Sequence, residues 1–401
     1  MVKRLLAALL ALVLAASCQK EIYTVVVSLD GFRWDYPEYY DTPFLDSLAT
    51  VGVSARMEPS YPASTFPNHY TLATGLVPDH HGLVNNSFWN PDTRHKYSIS
   101  DSTARYDSRY YLGEPVWVTA EKQGVTTAAI YWVGSDIPAG GGQPTYWRKW
   151  ETQPHWTFEQ RVDETVRLLS LPAAERPRLT MVYFDEPDHS GHVYGPISVE
   201  VKEMAEHMDK LIHSLYLRLK ALPHGDRINL IVLSDHGMTD ISPDRFIGYN
   251  DVMPQAWVKH TNGATPTSVD AADGCKEKLY QALKQVEHLS VWRHGEVPEE
   301  LNYGTSNRLG DLIVAPDLGW QFNRFPSQSM GAHGYSPKEL DMMVIFRAIG
   351  PSFKQGYEAP FTEGEQSAFH NTDIYPLLCQ MLGVKPQPVD GKLERIQKIL
   401  K

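Results

Sequence analysis

Asn229-Leu230-Ile231-Val232-Leu233-Ser234-Asp235-His236 is an unbroken apolar run that stops on a hydroxyl, a carboxylate and an imidazole. A run of this length without polar alternation suits a strand buried on both faces, as in a parallel sheet covered by helices. The same grammar recurs twice. The run 23–29 ends on Asp30, and the run 179–184 is followed by Asp185-Glu186-Pro187-Asp188, with His192 four residues further on. Other apolar runs at 126–132, 312–315 and 342–346 alternate with helix-period segments at 42–49, 158–171, 197–222, 275–286 and 372–382. This alternation predicts an α/β fold, a doubly wound and mostly parallel sheet with helices on both faces. The stretches 137–144 and 249–273 read as loops or a small inserted cap. No linker is evident, so residues 22–401 are expected to form a single domain.

Open α/β sheets bind ligands beyond the carboxyl ends of their strands, so three separate segments should converge there. Gly331-Ala332-His333-Gly334 adds another histidine. Three aspartates and three histidines make two three-ligand sets with coordination positions left open, as in catalytic zinc sites. Carboxylate oxygens and imidazole nitrogens suit Zn²⁺, and the absence of cysteine at these positions argues against a structural zinc. A nucleophile stands in Ser64-Thr65-Phe66-Pro67-Asn68-His69-Tyr70. A threonine hydroxyl is inert at neutral pH unless a base or metal activates it, which ties Thr65 to the ligand sets. Two ions roughly 4 Å apart can clamp a phosphoryl group, so a dimetal hydrolase is the first reading. In isolation, Asp235-His236 would read as a strand-end turn and Thr65 as a helix cap.

The 401 residues carry 37 Lys+Arg against 48 Asp+Glu, a net charge of −11, so the surface has no general attraction for long nucleic acids. A small phosphate ester is not excluded, because bound cations supply charge locally. Lys3-Arg4 precedes an apolar run, residues 5–16, too short to span a bilayer and typical of a secretory h-region. Leu14-Ala15-Ala16-Ser17-Cys18 resembles a bacterial lipobox, although Ala15 stands where Leu is usual. Residues 1–18 are therefore read as a signal peptide whose Cys18 would carry a membrane-anchoring lipid; the alternative is an ordinary cleaved signal. Either way the mature chain works outside the cytoplasm, in the periplasm or on the outer surface. Cys275 and Cys379 then have the option of pairing in an oxidising compartment, which two cysteines do not decide.

Several longer motifs resemble one family in order. Ser64 to Leu76 with His81-Gly82, then Glu186-Pro187-Asp188-His189-Ser190-Gly191-His192, Ser234-Asp235-His236-Gly237-Met238 and Gly331-Ala332-His333-Gly334-Tyr335, look like the nucleotide pyrophosphatase/phosphodiesterases of the alkaline phosphatase superfamily. The resemblance runs from about Tyr23 to Gly383. It implies that Asp188, His192 and His333 hold one zinc and that Asp30, Asp235, His236 and the Thr65 oxygen hold the other. It also implies a covalent phosphothreonine intermediate, and phosphate contacts from the Asn86 amide and the Phe66 backbone NH, an oxyanion-type cradle.

On the substrate side, Phe66 and the segment Tyr131-Trp132-Val133-Gly134-Ser135-Asp136 resemble the family's stretch for the base, with Trp150 as a further stacking candidate. His189 reads as lying outside the ligand sets, and His69, His80 and His81 as structural. The expected activity is hydrolysis of nucleotide phosphodiester and pyrophosphate bonds to 5′-nucleoside monophosphates. The alternatives are a choline-phosphodiester or lysophospholipid phosphodiesterase of the same family, a phosphomonoesterase or phosphonate hydrolase, and an inactive binding lipoprotein.

Overall fold

The computed structural model describes residues 21–150, 153–362 and 369–401. The signal-type segment and Cys18 lie outside the described residues. An eight-stranded sheet forms the centre, from β1 (Tyr23–Leu29), β2 (Val53–Met57), β3 (Thr127–Ile130), β4 (Tyr146–Arg148), β5 (Leu179–Phe184) and β6 (Ile228–Leu233), closed by two later strands. Four strands of a smaller sheet come next in the chain: β7 (Val258–Asn262), β8 (Thr267–Ala271), β9 (Leu289–Arg293) and β10 (Leu312–Pro316). The large sheet is completed by β11 (Val344–Ile349) and β12 (Tyr357–Glu358), giving the order β12-β2-β11-β6-β1-β5-β3-β4. Strands β6, β1, β5, β3 and β4 are mutually parallel, while β11 runs antiparallel to both neighbours.

Every residue of β1, β5 and β6 is buried, so both faces of the sheet are covered, as the uninterrupted apolar runs require. The covering helices form two packing groups. One comprises α1 (Pro43–Val51), α4 (Phe158–Leu169), α5 (Asp188–Tyr194) and α6 (Val199–Lys220); the other comprises α2 (Thr65–Thr74), α3 (Val116–Glu121) and α8 (Ile374–Leu382). Helix α4 starts on a capping box between Thr157 and Gln160, which fixes where β4 hands over to the helical layer.

The segment 249–273, expected as loop or a small inserted cap, holds β7 and β8, which pair antiparallel. With β9, β10 and α7 (Lys276–Leu283) they enclose a separate apolar cluster that includes Val269, Leu279, Leu312 and Val314. The run at 312–315 therefore belongs to this smaller sheet rather than to the large one. Cys275 precedes α7 and Cys379 lies inside α8 in the main core; both are free thiols, so the disulfide option is not taken up.

Candidate active site

Asp30 follows β1, Asp188 opens α5 just after β5, and Asp235-His236 follow β6, so three parallel strands deliver their polar residues to one edge of the sheet. The backbone NH of Asp188 donates to the Asp30 carbonyl at 3.0 Å. Gly31 makes this approach possible: its φ is +67°, and a Cβ there would stand 2.9 Å from the Asp188 Cα. Thr65 is the first residue of α2, and its Oγ lies 3.0 Å from His236 Nε2.

Two groups of candidate ligands share this edge. Asp188, His192 and His333 form one; Asp30, Asp188 and His236 form the other, so Asp188 stands within reach of both. Asp235 Oδ2 is 3.2 Å from His236 Nε2 and completes the second group. The His236 and His333 rings stack with centroids 3.7 Å apart, which brings the two groups side by side. His189 belongs to neither group.

Whether these residues suit metal ions is testable on their own hydrogen bonds. Each ligand histidine engages a backbone carbonyl through Nδ1: His192 with Gly331 at 2.9 Å, His236 with Gly237 at 2.9 Å and His333 with Ala63 at 3.0 Å. A proton on Nδ1 leaves each Nε2 lone pair facing the cluster, the usual arrangement of a metal-binding imidazole. Asp30 Oδ1, Asp188 Oδ1 and Asp235 Oδ2 are buried without hydrogen-bond partners. Buried charge of this kind calls for a compensating cation. Burial, then the charges of Asp235 and Asp188, push the Asp30 carboxyl well above the usual range. Burial, then His236 and His192, push His333 well down. At Asp235 burial opposes ionisation, but His236 and His69 outweigh it and hold the carboxyl low. The donor set fits divalent metal ions.

Neighbouring side chains fix the ligands. Tyr183 donates to Asp30 Oδ2 at 2.6 Å, and Gly31 NH reaches Asp235 Oδ1 at 3.3 Å. His69 is fully buried; its Nδ1 lies 3.0 Å from the Thr65 carbonyl and 3.2 Å from Asp235 Oδ2, and its Nε2 lies 2.8 Å from Ser28 Oγ. It is structural in a directed sense, joining the helix that begins at Thr65 to Asp235. Nothing in an apolar strand marks Tyr183 as more than core, and the sequence reading passed over it. Its one signal is a hydroxyl at the ligand-bearing end of β5.

Asn86 Oδ1 accepts from the Phe66 backbone NH at 3.1 Å, so the two expected phosphate contacts meet each other beside Thr65. The Phe66 ring is only 2% exposed and is met edge-on by Trp150 at 5.2 Å. Trp132, expected on the substrate side, is not among the residues that line either of the two clefts beside the ligand groups. It is fully buried, edge-on to His69, and its indole NH donates to the His69 carbonyl at 3.1 Å. Tyr131 stands just past the end of β3 with φ +59°, a turn out of the extended chain that leaves its side chain lining the aromatic cleft while Trp132 packs in the core. The aromatic cleft, about 330 Å³, is lined by Tyr131, Trp150, Gln153, His155, Tyr183 and Asp185. A second cleft of about 420 Å³ opens between Ser64, Asn86, His192 and His333.

A parallel sheet delivering paired carboxylate and imidazole groups beside a helix-initial threonine defines a class, and comparison with known proteins places the chain within it. Residues 24–336 match the family model for type I phosphodiesterase/nucleotide pyrophosphatase, and the chain belongs to that family. It is 33% identical over 410 residues to mouse ectonucleotide pyrophosphatase/phosphodiesterase family member 7, covering 96% of this chain and 89% of that protein. It is 32% identical to a venom phosphodiesterase from Crotalus durissus collilineatus, covering 94% of this chain but 46% of the venom protein. The chain thus spans about half the length of some curated relatives. Murine ectonucleotide pyrophosphatase/phosphodiesterase 5, solved as an inactive threonine-to-alanine variant in complex with AMP, superposes with a TM-score of 0.86 at 29% identity, covering 95% of this chain and all of that one.

Proposed function

We propose that this chain is a two-zinc phosphodiesterase that hydrolyses nucleotide phosphodiester and pyrophosphate bonds to 5′-nucleoside monophosphates through a phosphothreonine on Thr65. The observation that carries the reading is the position of Thr65 Oγ, 3.0 Å from His236 Nε2 at the junction of the two ligand groups. Asp188, His192 and His333 would hold one ion; Asp30, Asp235, His236 and Thr65 would hold the other. When bound, the ions would supply the positive charge that activates the hydroxyl and offsets charge on the phosphoryl oxygens.

The protein's own groups set the geometry. Thr65 Oγ forms a bond to phosphorus as the bond to the leaving oxygen breaks, and that oxygen takes up a proton. Water then cleaves the Thr65–phosphate bond, releasing the monophosphate and restoring the hydroxyl. The Asn86 amide, and the Phe66 NH once it exchanges Asn86 Oδ1 for substrate, would contact the nonbridging oxygens, where charge grows in the transition state. Trp150 offers its ring to the base. Residues 22–401 act as one catalytic domain, with the smaller sheet as its cap. The mature chain works outside the cytoplasm, secreted or held by a lipid on Cys18. Among the described residues no helix is long and apolar enough to cross a membrane.

A second reading, a choline-phosphodiester hydrolase, draws on the cleft where Tyr131, Trp150 and Tyr183 stand with Asp185, since aromatic faces and a carboxylate attract a quaternary ammonium. Against it, Asp185 already has Arg161 Nη1 at 2.8 Å. Turnover of the nitrophenyl esters of thymidine monophosphate and phosphocholine separates the two. Faster, metal-dependent cleavage of the thymidine ester is expected; dominant phosphocholine release would reject the nucleotide reading.

A further inference from the structure

The two clefts beside the ligand cluster differ in chemistry, and in-line displacement assigns them different parts of a substrate. The leaving oxygen stands opposite the attacking one across phosphorus. Thr65 belongs with Asp30 and His236, so the leaving group emerges over Asp188, His192 and His333. His192 and His333 form one wall of the 420 Å³ cleft, which makes that cleft the leaving-group subsite.

Beyond the histidines, its polar wall consists of hydroxyls and amides such as Ser64, Ser87, Asn323, Ser327 and Ser329, and none of its lining residues is Lys, Arg, Asp or Glu. The basic residue closest in sequence to that wall, Arg324, is exposed on the loop after Asn323 and is not part of it; its backbone NH donates to Asn323 Oδ1 at 2.7 Å. Arg245, also on this side, is engaged by Asp240. A cation held by Asp188, His192 and His333 would serve the leaving oxygen of either substrate alike, but for the further negative charges of a pyrophosphate the rest of the wall offers no fixed counter-charge, which costs desolvation without recompense. A sugar ring brings hydroxyls, each a donor and an acceptor that serine and asparagine side chains match.

We propose, resting on the phosphodiesterase reading, that the subsite lined by Asn323, Ser327 and Ser329 selects an uncharged nucleoside alcohol as leaving group and discriminates against pyrophosphate. The preferred substrate class is then the dinucleoside monophosphate. Thr65 Oγ bonds to phosphorus, the bond from phosphorus to the 3′-oxygen breaks, and the departing nucleoside takes a proton on that oxygen. The downstream nucleotide stays on Thr65 until water releases it as the 5′-monophosphate.

The test compares kcat/KM for thymidylyl-(3′→5′)-thymidine and ATP on the zinc-loaded full chain, with nitrophenyl thymidine monophosphate run alongside. The dinucleoside should exceed ATP by at least about tenfold, which corresponds to about 1.4 kcal/mol of discrimination at the subsite. Asn323→Lys, at the exposed end of a short strand, and Ser327→Lys, on the loop that follows, should shift that ratio towards ATP by about tenfold, with melting curves confirming the fold. Calorimetric binding to Thr65→Ala, read without turnover, should follow the same order. ATP equal to or better than the dinucleoside, or a selective loss of ATP turnover in Arg324→Gln, would overturn the inference while leaving the phosphodiesterase reading intact. No turnover of the nitrophenyl ester would instead remove that reading, and this inference with it.

Discussion

Tyr183 joins the aromatic cleft to the ligand cluster: its hydroxyl donates to Asp30 Oδ2 at 2.6 Å while its ring stacks on Trp150 at 4.6 Å. One residue thus orients the Asp30 carboxylate and supports the Trp150 ring, the two groups proposed for metal and base. Burial, then the charge of Asp30, pushes the Tyr183 phenol well above its ordinary range, so it remains a donor at any working pH.

Removing only that hydroxyl should be felt at the metals. Tyr183→Phe is expected to lower metal affinity or turnover by about 10–100-fold, the typical cost of losing a partner to a ligand. Zinc content measured against a competing chelator gives the readout, and an unchanged affinity with unchanged kcat would remove Tyr183 from the site.

Thr65→Ala should reduce turnover by about a thousandfold or more while the zinc content stays near that of the parent, because six other side chains carry the ligands. Acid quenching of the parent with nitrophenyl thymidine monophosphate should trap a nucleotidyl adduct on the peptide carrying Thr65. Adduct formation in the alanine variant would place the nucleophile elsewhere.

The two tryptophans should separate cleanly. Trp132→Ala empties a fully buried site and is expected to cost about 3–5 kcal/mol of stability, seen in denaturant melts. Trp150→Ala should instead raise KM for nucleotide substrates by the loss of stacking, about 1–3 kcal/mol per base. A Trp150 variant with unaltered nucleotide KM would remove that ring from the base site.

His81 predicts a pH dependence of stability. The ring is fully buried; Nδ1 accepts from the Leu83 NH at 3.2 Å and Nε2 lies 3.1 Å from the Pro67 carbonyl, which is the neutral form. Burial pushes its pKa down from 6.5 to about 3. As pH falls below 6.5 the unfolded chain binds a proton that the folded chain refuses, so stability is lost by about 1.4 kcal/mol per unit until pH 3, and is unaffected above. His81→Asn should melt with a shallower dependence across that window; parallel curves would show that His81 does not set it.

Much of this arrangement is written locally. Runs 23–29 and 179–184 coincide with β1 and β5 because strands buried on both faces must be apolar throughout, and the polar residues that end them can only sit at the sheet edge. The strands of the smaller sheet escape that signal. Val258-Lys259-His260-Thr261-Asn262 exposes Lys259 and His260 and fully buries only Asn262, so it lacks the apolar run of a core strand and takes its order from pairing with β8. Periodicity likewise reports that 312–315 is a strand without saying which sheet receives it. Asp188 reads as a ligand of one group by its spacing to His192; only the fold shows it within reach of His236 as well. Trp132 and Tyr131 are adjacent aromatics, and sequence alone does not tell which of the pair faces inward.

Strand β1 also settles a matter of orientation. Its seven residues span about 20 Å from Tyr23 to Leu29, with Asp30 at the far end. Whatever precedes Glu21 is attached at the end of the sheet remote from the ligands. Anything joined there is separated from the reaction centre by the full length of a core strand, so a cut or a fusion at that point would leave the chemistry at the opposite end untouched.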